Sequence, residues 1–182
     1  MSVVENIRTS FLKRKIKKFN SKYERKVKLK EFKDVKTVGV IFNASDEQKC
    51  KRATHLIGHF QGLQKKVSAV GLINTKEDPH YIENTLSYNY IRSSDINWYN
   101  YPKSVFIDDF IKTRFDLLID LNFEKIPSLR YIAETSLANC KIGLNQNGDD
   151  LIYDFMLEGI PPNEMNMFLK QILYYLELIK TQ

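Results

Sequence analysis

Apolar residues run almost without a break through the stretch 115–122, as Leu117, Leu118, Ile119 and Leu121. A strand wetted on one side would alternate polar and apolar residues. This one does not, so both of its faces are covered, as in the middle of a parallel sheet. Residues 36–43 place Val38, Val40 and Phe42 on one face and Gly39 and Ile41 on the other, and residues 66–73 repeat the strand pattern. Shorter strand patterns occupy 88–91, 141–144 and 151–157.

Between these runs the spacing changes to that of helices. Ala53, Leu56, Ile57, Phe60 and Leu63 mark a helix over 45–64, with Ser45 as N-cap and Gln48 completing a capping box. Further helices fit 103–112, 128–138 behind Pro127, and 163–180 behind Pro161-Pro162. The Asn147-Gly148 pair suits a tight hairpin, which would make the last two strands antiparallel. The expected fold is a three-layer, Rossmann-like α/β domain. Its mostly parallel sheet has five or six strands and an antiparallel edge, with helices on both faces.

A basic helix precedes this body. Over 4–32 the residues Ile7, Phe11, Leu12, Ile16, Phe19, Tyr23 and Val27 form an apolar stripe, with Asn20-Ser21 as a candidate break. Residues 1–36 hold 13 Lys/Arg against 4 Asp/Glu, a net of +9, and the remainder holds 15 against 18, a net of −3. The chain therefore divides into a basic arm, 1–35, and an α/β domain, 36–182. Two readings of the arm stand side by side. Its stripe packs on the sheet or on a second copy, or its cations Lys13, Arg14, Lys17, Lys18, Lys22 and Arg25 meet RNA, DNA or an anionic membrane. The aromatic rings sit on the stripe and not among the lysines, which disfavours a base-stacking platform.

No run of about 18 apolar residues is present to cross a membrane, and residues 1–10 lack the apolar core of a secretory signal. Cys50 and Cys140 are far apart and fit neither zinc nor redox spacing, so a reduced, cytoplasmic protein is expected.

The segment from Asp116-Leu-Leu-Ile-Asp120-Leu, through a helix with Ile132-Ala133, to Lys141-Ile-Gly143-Leu resembles the N-terminal half of lipopolysaccharide heptosyltransferases. That resemblance implies a Rossmann-like unit from a sugar-nucleotide transferase. It covers about thirty residues, brings no catalytic residue, and leaves no room for a second, nucleotide-holding domain. The whole chain also resembles an uncharacterised bacterial family of similar length, which shares the basic N-terminal helix, the first strand and the Asp116–Asp120 strand; no activity comes with it.

Candidate chemistry is sparse. The turn after the first strand, Asn43-Ala-Ser-Asp-Glu47, has no glycine to admit a phosphate, and Asp46 and Glu47 put negative charge there. No cofactor is indicated. His55 and His59 share a helix face but have no further ligands at a zinc spacing beyond Cys50 or His80, so no metal site is assigned. The ends of the strands offer a polar crevice from Asn43, Ser45, Ser104, Asp120, Asn122 and Glu124. Carboxylates there could exchange protons or hold a cation, or simply cap neighbouring loops. Three functions remain open. They are a non-enzymatic partner-binding domain, including a homo-oligomer; an enzyme or ligand-binding domain using the Asp120–Glu124 edge; and nucleic-acid binding through the arm.

Overall fold

The computed structural model describes residues 3–75, 77, 79–82, 87–145, 152–161 and 164–178. Its elements are α1 (Val3–Lys22), β1 (Thr37–Asn43), α2 (Glu47–Gly62), β2 (Lys66–Ile73), β3 (Tyr88–Arg92), α3 (Val105–Lys112), β4 (Leu117–Asp120), α4 (Pro127–Thr135), β5 (Cys140–Leu144), β6 (Phe155–Leu157) and α5 (Met165–Leu178). The six strands form one sheet in the order β3-β2-β1-β4-β5-β6. Every neighbouring pair is parallel.

Side chains alternate across the sheet and so feed two separate cores. Val38, Val40 and Phe42 of β1 meet Leu56, Ile57 and Phe60 of α2 and Phe168 and Ile172 of α5 on one face. Ile41, Val70 and Leu118 meet Ile107 and Ile111 of α3 and Leu129 and Ile132 of α4 on the other. Leu12 and Ile16 of α1 join this second core, with α1 lying on α4. β4 is buried along its whole length, as its unbroken apolar run requires.

Three local expectations are corrected. The first helix ends at Lys22, not near residue 32. Beyond it the chain is held by the body. Arg25 donates from Nε to the Ala138 carbonyl at 2.7 Å and pairs with Asp154, and the Lys28 amide donates to the Asn139 carbonyl at 3.0 Å. Secondly, the cap of α2 is Asp46, whose carboxylate accepts the Lys49 amide at 2.8 Å. Ser45 is occupied elsewhere: its hydroxyl donates to the Leu72 carbonyl and accepts the Asn74 amide. Thirdly, the edge pair is parallel, with Ile142 opposite Phe155 and Leu144 opposite Leu157. Before β6, Ile152 is buried in the core that holds α4, and Asp154 anchors beside the first residues of β5 through the Lys141 amide and carbonyl. The expected Asn147-Gly148 turn and the second proline of Pro161-Pro162 lie outside the described residues.

Candidate functional site

β1 leads to a helix on one face and β4 to a helix on the other, so their adjacent carboxyl ends form the point where the sheet's winding reverses. Rossmann-like sheets bind ligands there. Here protein side chains span it. Glu124, just past β4, pairs with Lys49 Nζ of α2 at 2.6 Å and accepts from Asn43 Nδ2 at 3.4 Å. Asn43 Oδ1 in turn accepts the Ser45 amide at 2.9 Å. The Asn43–Ser45 turn is thereby stitched to both neighbouring strands.

Asp120 is buried at the end of β4, 4% exposed. Its Oδ1 accepts the backbone amide and the side-chain amide of Asn122, and its Oδ2 accepts the Tyr153 hydroxyl at 2.6 Å. Asp120, Asn122 and Glu124 line a cavity together with Lys125, Arg130 and Tyr153. It measures about 20 Å³, room for a water or a small ion but not for a nucleotide. Asn43 and Ser45 lie outside this lining, as does Ser104, which precedes α3 at its N-cap position without a side-chain capping bond. Tyr153, Lys125 and Arg130 were not among the sequence candidates.

Tyr153 reaches Asp120 because β5 has a glycine where the ring must pass. A Cβ built on Gly143 would stand 2.6 Å from the Tyr153 ring. Two residues earlier, Lys141 is 2% exposed and donates from Nζ to the carbonyls of Ala133 at 2.7 Å and Glu134 at 3.3 Å, closing the last turn of α4. Burial, reinforced by the nearby Arg25 charge, pulls its pKa down to about 7. Cys140 is pushed up to about 11, chiefly by burial, so its thiol stays protonated and is no nucleophile at neutral pH. His55 and His59 are exposed on α2 beside a groove with Leu169 and Leu173 of α5. Among the described residues no three His, Cys, Asp or Glu stand together as metal ligands.

The arm separates into two rows. Leu12 and Ile16 are buried and Phe19 is half-buried against the body. A second row, Val4, Ile7, Phe11, Arg14, Lys18 and Lys22, follows the three- and four-residue helical spacing and is exposed throughout. Apolar side chains occupy its first turns and cations its later ones. Phe11 packs edge-on against Trp98, with ring centroids 5.2 Å apart, and the Arg14 guanidinium lies 5.8 Å from the Phe11 ring centre.

Trp98 sits at the tip of a tight loop. Ile96 and Pro102 bridge its base, Asn97 Oδ1 accepts the amides of Tyr99 and Tyr101, and Asn100 takes a left-handed conformation with φ of 63°. Tyr101 anchors the loop on buried Tyr131, yet Trp98 remains 55% exposed. The aromatic segment thus caps the core with one ring and presents another outward. Arg25, grouped by its charge with the arm's surface cations, is instead a structural clamp.

No described helix is long and apolar enough to cross a membrane. A search of curated proteins finds no match, and nothing found supports the resemblance to heptosyltransferases. A family model described as "Family of unknown function (DUF6913)" matches residues 8–179, nearly the whole chain, and the chain belongs to that family.

Proposed function

We propose that the protein is a non-enzymatic, cytoplasmic binding module, a Rossmann-like body that displays a docking helix. The observation that carries this reading is the lengthwise division of α1. One row is spent on the core through Leu12 and Ile16, while Val4, Ile7 and Phe11 stay exposed and Phe11 packs against exposed Trp98. Contiguous exposed apolar side chains on an otherwise well-buried domain mark an interaction surface. The bridging of the usual ligand crevice by Glu124, Lys49 and Asn43 also favours binding over catalysis. Two buried free thiols suit a reducing compartment.

The test is lysine acylation of the full chain, in the cells that make it and after purification, read peptide by peptide. Docking predicts several-fold protection of Lys18 and Lys22 in cells, with exposed Lys66 and Lys112 labelled equally in both samples. Equal labelling at all four lysines overturns the reading.

A further inference from the structure

We propose that the occupant of this surface is an anionic lipid bilayer, on which α1 lies with Val4, Ile7, Phe11 and Trp98 entering the headgroup layer. This inference rests on the docking reading and names its partner. The outer row of α1 is graded, with apolar side chains in its first turns and Arg14, Lys18 and Lys22 in its later ones, all exposed. An anionic bilayer meets both halves at once, because its interface takes apolar and indole side chains while its phosphates take cations. Trp98 is held outward by a loop that is internally hydrogen-bonded, so insertion costs little ordering.

The alternatives fit less well. A second copy of the same face would bring like charge together, since α1 carries seven Lys/Arg and one acidic residue, Glu5. Single-stranded nucleic acid stacks its bases on open aromatic faces. Phe11 and Trp98 instead pack against each other at 66°, and Trp98 and Tyr99 at 81°. Exposed Val4 and Ile7 offer a base nothing to stack on.

The chain has one tryptophan, so Trp98 reports the surface directly. The full chain is mixed with vesicles of phosphatidylcholine alone, or with about 30% phosphatidylglycerol, and read by flotation and by Trp98 emission. The expected result is at least tenfold stronger partition onto the anionic vesicles, a blue-shifted Trp98 protected from acrylamide, and steep loss with added salt. Phe11→Asp, and separately the triple reversal R14E/K18E/K22E, should each reduce partition about tenfold while circular dichroism stays unchanged and Tm falls by no more than about 4 °C.

Equal binding to both vesicle types overturns the proposal. So does flotation without a Trp98 shift, which would place the contact on other cations. A single-stranded oligonucleotide that shifts Trp98 where vesicles do not would assign the surface to nucleic acid and overturn it too. Protection of Lys18 and Lys22 in cells without vesicle binding removes the lipid and leaves the docking reading standing. Loss of both results removes both.

Discussion

Tyr153 hydrogen-bonds Asp120 across an intervening strand, its hydroxyl 2.6 Å from Oδ2. The ring crosses β5 at Gly143, where a Cβ would block it. This contact joins the segment before β6 to the end of β4, and it fixes the buried carboxylate at the centre of the carboxyl edge. Gly143→Ala forces the ring aside and should destabilise the fold by about 1–3 kcal/mol. Tyr153→Phe keeps the packing but deprives a buried carboxylate of a donor, at a cost of about 1–3 kcal/mol. Because both changes act on one contact, the double variant should lose clearly less than the sum, as urea denaturation would show. Simple additivity would mean that the ring and the hydroxyl act independently.

Lys141 makes a pH prediction of definite sign. Its pKa is about 7 in the folded chain, below the 10.5 of an exposed lysine, because burial disfavours the ammonium. Between those values the unfolded chain binds the extra proton, so stability from this group rises with pH. The cost of the buried charge is fully present below pH 7 and is relieved as pH climbs towards 10.5. Lys141→Met removes the charge and the contacts with Ala133 and Glu134. Against this variant, the wild type should gain on the order of 1 kcal/mol per pH unit between about pH 7 and 9. A difference in stability that stays flat from pH 6 to 9 would show that Lys141 does not titrate in this range.

What the sequence disclosed follows how local each cause is. β4 was legible because burial on both faces leaves its mark in Leu117–Leu121 itself, and β2 was found with its observed bounds. Periodicity carries the first helix too far because Tyr23 and Val27 keep the helical period, whereas Arg25 and Lys28 bind carbonyls at Ala138 and Asn139, over a hundred residues away. An Asn-Gly pair is a local signal and says nothing of which way the following strand runs, whereas β6 pairs parallel to β5 and Asp154 before it binds the Lys141 amide. The strand-end carboxyl and amide groups of Asp120 and Asn122 were visible for the same reason as β4. Tyr153, 33 residues on, was not. Its one trace is Gly143, a glycine inside a strand, which signals a close approach. The two rows of α1 merged into one stripe because periodicity shows what is apolar, not which part of it the body covers.

Asp116 does at the amino edge what Asp120 does at the carboxyl edge. Its carboxylate pairs with Lys30 Nζ at 2.7 Å and accepts the amides of Lys36 and Thr37, tying the end of the arm to β1 and β4. Burial alone would raise its pKa. The Lys30 bond and the two amides outweigh burial and hold it below 3.8. A lowered carboxylate contributes stability that is full above about pH 4 and fades as pH falls through its folded value. Asp116→Asn should cost about 2–3 kcal/mol at pH 7 by leaving Lys30 without its partner. The gap to wild type should then narrow steadily under acid. A gap that is constant down to pH 2 would mean the ion pair is not what Asp116 supplies.

The division of α1 is itself testable by stability, independently of any partner. Leu12 and Ile16 are 6% and 8% exposed and belong to the core beneath α4, so truncating either to alanine should cost about 2–4 kcal/mol. Ile7 and Phe11 are 46% and 42% exposed, and Ile7→Ser should change stability by no more than about 0.5 kcal/mol. Phe11→Ala should cost somewhat more than Ile7→Ser, since its ring contacts Trp98, but far less than Leu12→Ala. Removing the whole arm is a poorer experiment, because it strips Leu12 and Ile16 from the core and confuses lost docking with lost folding. The measurement is chemical denaturation of the single variants. If the outer row proved as costly as the inner one, α1 would be architecture on both sides, and the exposed surface that carries the docking reading would have no function left to explain.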